Sequence, residues 1–309
     1  TIEVAGVGNA TRGIYGGGRD GSSPHINVIE HFTFMTTGNA ADFGDLSVAR
    51  QRLTSHNSDT RGLFVGGTGS GSPGDVNTID FVTIANTGDA TDFGDLTNTT
   101  VSASAGGSST RAVFMGGEGA SPYGDVIQFT EISSTGNEVS FGSIRSGDGT
   151  GCTGFGSFTR GFASGGLTPT VLSTTEYVHF VTQGNAADFG NLTRGCRPTN
   201  NGTSNRIFAA TMGGEISGGS DNIIDFITIA STGDATDFGD MLAAVYASGC
   251  ASNSTRGIAM AGLSGGQSNV IQFITWASRG NAVDFGDDTV AHHRNGACSN
   301  AGGGLDLTA

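Results

Sequence analysis

Lysine is absent from this chain. All 14 basic residues are arginine, set against 28 acids, for a formal net charge of −14. Such a balance argues against non-specific nucleic-acid binding, which needs cations to displace counterions. It argues equally against docking on anionic lipid. Charged residues make up only 14%, well under the roughly 25% usual in soluble domains. Trp occurs once and Pro five times. No run of about 18 apolar residues exists, so membrane insertion through a helix is not expected. The opening residues TIEVAGVGNATRG have no charged head and no apolar h-region, so no secretory signal is read there. Thr1 in place of Met leads us to expect a processed chain or a piece of a longer one. What is abundant is glycine, at 54 of 309 residues.

The glycines fall in a repeat. Asp-Phe-Gly or a close variant recurs six times, with its aromatic at Phe43, Phe93, Phe141, Phe189, Phe238 and Phe285. An arginine, usually in Thr-Arg-Gly, recurs at Arg12, Arg61, Arg111, Arg160, Arg206 and Arg256. A Gly pair follows each of the first five, and Ala261-Gly262 follows the sixth. Six copies of three anchors in fixed order define the architecture before any local propensity is weighed.

The second copy shows the unit. RGLFVGG is a short apolar run stopped by the Gly pair; TGSGSPGD is a polar loop; VNTIDFVTIANTG is rich in β-branched and aromatic residues; ATDFGDL is a short aromatic-centred strand. With the polar stretch that leads to the next arginine, this makes four short strands per copy. No segment holds a helical period, so helix should be nearly absent. The long strand is apolar on both faces, with Ile79 and Phe81 on one side and Val82 and Ile84 on the other. That suits a sheet packed between two like sheets. The expected fold is an all-β, single-domain, six-bladed β-propeller spanning residues 1–309. A linear solenoid is the rival, but it needs distinctive capping units, and the end copies look ordinary. Ring closure should come from a C-terminal strand: GDDTVAHHRNGACSN after Phe285 parallels GDLSVARQRLTSHNS after Phe43. We expect residues 290–299 to lie beside the strand that starts at Arg12, leaving residues 1–7 as an extra edge strand or lead-in; the reverse assignment is the alternative.

The order of apolar run, Gly pair, loop, aromatic strand, turn and second aromatic resembles the kelch motif. In that resemblance Phe81, Phe129, Tyr177, Phe226 and Phe273 stand where kelch blades carry Tyr, with His31 in the first copy. The Phe of Asp-Phe-Gly stands in the Trp place, and Trp276, the single Trp, lies elsewhere, on the long strand. The wording of strings such as IDFITIASTGDATDFGD, and the ending NGACSNAGGGL, is similar to repeats in structural proteins of tailed phages, especially marine ones. The resemblance spans essentially the whole chain. It implies a propeller exposed on a virion, without fixing whether it decorates a capsid, caps a tail or sits at a fibre tip.

Candidate chemistry is sparse. A ring of six arginines could grip a carboxylate, as in sialidase propellers. The plainer expectation is that a residue repeated in every blade belongs to the blade, paired with acids such as Asp80, Glu30, Glu176 and Asp225 on the long strand, where Gln128 and Gln272 stand in the other copies. No Asp-box series is present. Asp-rich turns such as residues 89–95, and Asp148, could collect Ca²⁺, but Asp and Asn suit tight turns without a metal. Cys152, Cys196, Cys250 and Cys298 fall in different copies and should be buried thiols. His292 and His293 are adjacent on a strand and point apart, so they do not form one metal site. The triplets beginning at Asn9 and Asn253 fit repeat turns without a glycan. No nucleophile elbow or phosphate-binding loop is found, and no cofactor is expected.

Three function classes follow. The first is a non-enzymatic virion structural or decoration protein with protein partners. The second is a receptor-binding module whose variable loops, including Tyr123, reach host cell-surface glycan. The third is a polysaccharide-degrading enzyme, which needs two convergent carboxylates that nothing in the sequence singles out. The oligomeric state is not set by the sequence.

Overall fold

Each repeat folds into one four-stranded antiparallel sheet. The computed structural model of the chain describes residues 2–21, 25–70, 74–119, 124–144, 150–167 and 169–297. Blade one comprises Ala5–Gly8, Arg12–Gly16, Val28–Thr33 and Ala41–Asp45 from the inner to the outer strand. Blade two repeats this with Thr54–Asn57, Arg61–Val65, Thr78–Thr83 and Thr91–Asp95. Four further blades follow, and the last ends on the outer strand Ser278–His292. No helix occurs among the described residues. The fold is a six-bladed β-propeller.

The two aromatic anchors meet within every blade. The outer-strand Phe lies against the third-strand aromatic, as in Phe81 with Phe93 and Phe129 with Phe141, and in blade one His31 stands against Phe43. Five apolar clusters fill the seams between successive blades. The seam of blades two and three is typical: Leu63, Val65, Ile79 and Phe93 face Ala112, Phe114 and Ile132. Trp276 belongs to the last of these clusters and donates its indole N–H to the Asn253 carbonyl at 3.1 Å.

Polar bonds join the same seams. Arg61 Nη1 donates to the Ile132 carbonyl of the next blade at 2.9 Å while its guanidinium covers the Phe81 ring of its own. Arg12 and Arg160 make the same reach to Ile84 and Ile229, and Arg111 to Phe180. At the rim of blades two to five the turn ahead of the outer strand closes on the previous outer strand, as in Gly136 N–H to the Phe93 carbonyl at 2.7 Å. That approach requires Gly94, whose φ is +146° and whose place would put a side chain into the Gly136 carbonyl.

Three expectations are corrected. The place beside Arg12 goes to Ala5–Gly8, not to residues 290–299. The reason is local: Asn9 Oδ1 accepts the N–H groups of Thr11 and Arg12 and shapes a tight hairpin. Such a hairpin closes at far lower entropic cost than a strand brought from the other end of the chain. Second, Arg12, Arg61, Arg111 and Arg160 reach carbonyls of the following blade rather than the expected acids, and Arg111 also pairs with Glu131 at the end of its own long strand. Asp80 is taken by Arg50 and Asp225 by Arg194. Third, Arg206 is out of register. Asn205 caps Ile207 and Phe208 as Asn9 caps Thr11 and Arg12, so Phe208 occupies the anchor place and Arg206 lies over Phe158 in the turn.

One blade carries a misfit. Where the other blades have Ala at the head of the outer strand (Ala90, Ala186, Ala282), blade three has Glu138, buried with neither carboxylate oxygen hydrogen-bonded. Burial pushes its carboxyl well above the ordinary 4.5. Since the folded state holds the proton more tightly than the unfolded chain, stability falls as pH rises from about 4.5 through the raised folded value. Glu138→Ala is expected to raise unfolding free energy at neutral pH by about 1–3 kcal/mol and to flatten that fall, both measured by urea denaturation across pH. Arg61→Met should lower stability by about 1–3 kcal/mol, because a carbonyl at the seam loses its donor.

Candidate functional site

Second and third strands are joined at one end of every blade, and the linkers that lead into the inner strands reach the same end. In blade two the linker pairs Arg50–Gln51 with Thr68–Gly69 of the second-to-third connection. In blade three Thr100–Val101 pairs with Glu118–Gly119. Blades five and six continue these strands into full hairpins, Phe208–Ile216 with Gly219–Thr228 and Arg256–Leu263 with Gln267–Thr275. The variable loops therefore share one face, as the repeat predicts. Tyr123 and Asp148 lie outside the described residues.

At this face the chain turns into each inner strand through a residue with left-handed backbone. Glu3, Arg52, Ser102, Gly151, Asn200, Ala247 and Arg294 all have φ between 52° and 66°. Successive members are tied by backbone bonds: Arg52 N–H to Glu3, Ser102 N–H to Arg52, and Arg294 N–H to Ala247. The collar carries charge. Glu118 binds both Arg52 and Arg197, the latter at 2.7 Å, and so links blades two, three and five across the mouth. Glu3, almost fully buried, receives Arg294 at 3.2 Å and Arg19 at 3.6 Å. That pair joins the two ends of the described chain.

Below the collar lies the central channel, a cavity of about 180 Å³ walled by the inner strands of all six blades and by residues 295–297. Its lining is small and hydroxyl-bearing, as at Gly6, Thr54, Ser55, Ser104, Thr153 and Gly154. The C-terminal chain enters this wall. Asn295 lies against Gly249 of blade six, and Ala297 and Gly296 against Gly6 of blade one. The C-terminal segment thus completes the inner ring between the first and last blades, while the paired position in blade one belongs to Ala5–Gly8.

The predicted site residues resolve into structure. Phe43, Phe93, Phe141, Phe189 and Phe238 are buried; Phe285 is exposed. Arg256 covers the Phe273 ring. Of the Asp-rich turns, Asp89 accepts the Asp45 N–H across a seam and Asp92 the Gly94 N–H in its own turn. Among the described residues no three His, Cys, Asp or Glu side chains gather as a metal site. His292 pairs with Asp288 at 3.1 Å.

Sequence reasoning missed the buried ion pair Arg50–Asp80, both side chains fully enclosed at 3.0 Å. Burial lowers the Arg50 pKa and the Asp80 charge opposes that shift. Asp80 also accepts from Ser47 and sews linker to blade. Gln128 and Gln272 do the same for Thr97 and Leu242 without an arginine. The signal was available: the long strand has Asp where the preceding linker has Arg50 or Arg194, and Gln where the linker has none.

Cys152, Cys196 and Cys250 stand as thiols; Cys298 lies outside the described residues. Cys152 sits 2.9 Å from Ser104 Oγ. Burial pushes the thiols of Cys152 up to about 11 and of Cys196 up to about 12. Only the thiolate is reactive, so both should resist iodoacetamide at pH 8 in the folded protein and react once urea unfolds it, as read by peptide mass.

A solved structure described as "Structure of YjhT" superposes on this chain with a TM-score of 0.69 and 10% identity, covering 89% of this chain and 97% of that one. At that identity the likeness shows the propeller fold alone. No family model matches the sequence, and no curated protein matches it.

Proposed function

We propose that this chain is a non-enzymatic scaffold exposed on the surface of a phage particle, where it mediates protein–protein contacts. The observation that carries this reading is the fate of the arginines. Every described arginine is engaged within the fold. The anchors reach carbonyls or rings, Arg50 and Arg194 are held by buried acids, and Arg19, Arg52, Arg197 and Arg294 are tied into the collar. Arg279 lies over Phe226. With no lysine in the sequence and the described arginines so held, the surface of the described residues is acidic. Such a surface repels nucleic acid and anionic polysaccharide alike, and leaves loops on a stiff frame as the recognition element. The resemblance of the repeats to phage structural proteins supplies the setting.

The alternative, a module for host cell-surface glycan, draws on the polar loops gathered at the collar face. Sedimentation separates the two. Purified protein is expected to co-sediment with tailed-phage particles and to remain in the supernatant with intact bacteria. Binding to bacteria that disappears when their surface polysaccharide is stripped would replace the scaffold reading with the glycan one.

A further inference from the structure

The seam between blades six and one differs from the other five. Phe285 is 56% exposed, against 2–4% for its five counterparts. Ile258, Met260, Ile271 and Phe273 on the forward face of blade six are half-exposed, whereas Leu63, Val65 and Ile79 at the first three of these places in blade two are buried. The rear face of blade one presents a half-open aromatic strip, Tyr15 on Phe32 and Phe32 on Phe34. In the next blade the same places hold Phe64, Val82 and Ile84, all buried. Glu30 is exposed where Asp80, Gln128, Glu176, Asp225 and Gln272 are enclosed. Gly286 meets nothing, while Gly44, Gly94, Gly142, Gly190 and Gly239 each meet the next blade's turn. Among the described residues no apolar cluster fills this seam.

The width of the gap is set by the inner ring. Elsewhere inner strands touch directly, as Gly154 touches Ala105 and Gly202 touches Gly154. Here residues 295–297 lie between Gly249 and Gly6. Seven left-handed turns lead into the inner ring, one more than the six blades. The seventh, at Arg294, leads into Gly296 and Ala297, which correspond to Thr54 and Ser55 at the head of blade two's inner strand.

We propose that this seam is an interaction surface for one further blade of the same repeat, seated edge-on against residues 295–297. The occupant must offer two free faces: a carbonyl for Arg256 and a turn for Gly286 on one side, an outer-strand aromatic for the Tyr15–Phe32–Phe34 strip and a linker donor for Glu30 on the other. A second copy of this chain cannot serve, because its blade six has only a free forward face and its blade one only a free rear face. Asp288, which replaces the apolar residue of the other linkers (Leu46, Leu96, Ile144, Leu192, Met241), is already paired with His292.

Two experiments test this. In the full chain, Asp287→Cys with Asn39→Cys occupies the places that Asp45 and Asp89 hold at the sealed first seam, where the Asp45 N–H donates to Asp89 Oδ1 at 3.0 Å. The control pair Asp45→Cys with Asp89→Cys should cross-link intramolecularly, and the pair at the last seam should not. Efficient cross-linking there means the two blades seal against each other and overturns the proposal. In the second experiment a chain of residues 1–297 followed by a copy of residues 56–96 supplies the blade in cis. Protection from hydrogen exchange is expected to rise at residues 29–34 and 283–287, with a higher urea midpoint and a monomeric sedimentation profile. An appended copy that is cut by protease as readily as an unfolded peptide, or self-association of the unextended chain that protects the same residues, overturns it.

Discussion

A glycine without a side chain, meeting another glycine's carbonyl, sets how close two blades can come. At Gly94 the outer strand of blade two lets the turn at Gly136 hydrogen-bond to the carbonyl of Phe93. A methyl group at Gly94 would collide with that turn. Because the approach is this close, the neighbouring Phe93 is buried, and the arginine of one blade can reach the carbonyl that ends the long strand of the next. The spacing of the repeat follows from the same contact. Each copy must place its Phe-Gly and its turn at a fixed radius, and only small changes in copy length are tolerated.

The chemistry of the seams accounts for residues that look functional in one dimension. Six repeated arginines suggest a ligand ring, yet Arg12, Arg61, Arg111 and Arg160 reach across seams to backbone carbonyls, and all six lie over aromatic rings. Asp80 and Asp225 of the long strands look like their partners, yet serve as acceptors for the incoming linker, where Gln128 and Gln272 work as well. The buried Arg50–Asp80 pair is a stitch of the same kind with a charge on each side. Breaking one half would leave the other charge enclosed.

Much of the fold was legible because repetition amplifies weak local signals. A single RGLFVGG run is an ambiguous strand; six of them in register with six aromatic turns leave little choice but a radial array. What escaped reading was whatever departs from the repeat. Arg206 matches the motif by letter but stands two residues early, and only the Asn205 cap reveals that Phe208 holds the place. The competition between Ala5–Gly8 and the C-terminal segment was visible as seven candidates for six positions. Its outcome depended on turn geometry at Asn9 and on a wedge at Gly6 that no pattern encodes. Glu138 stands where its neighbours have Ala, and its burial is a property of the seam rather than of the strand. The collar was hardest to foresee, since its seven members share a backbone angle and not a residue type.

The connection between the ends of the chain has a kinetic meaning. Five seams join segments that follow one another closely, so each can form as soon as its two copies exist. The Glu3–Arg294 pair and the contact of Ala297 with Gly6 join residues almost 300 positions apart. Contacts of such long sequence separation carry the largest loop-closure cost and form late. They are also backed by the least buried apolar surface in the ring. Opening should therefore begin at that one radius and propagate blade by blade away from it, so that the molecule unfolds from its join and not from its rim.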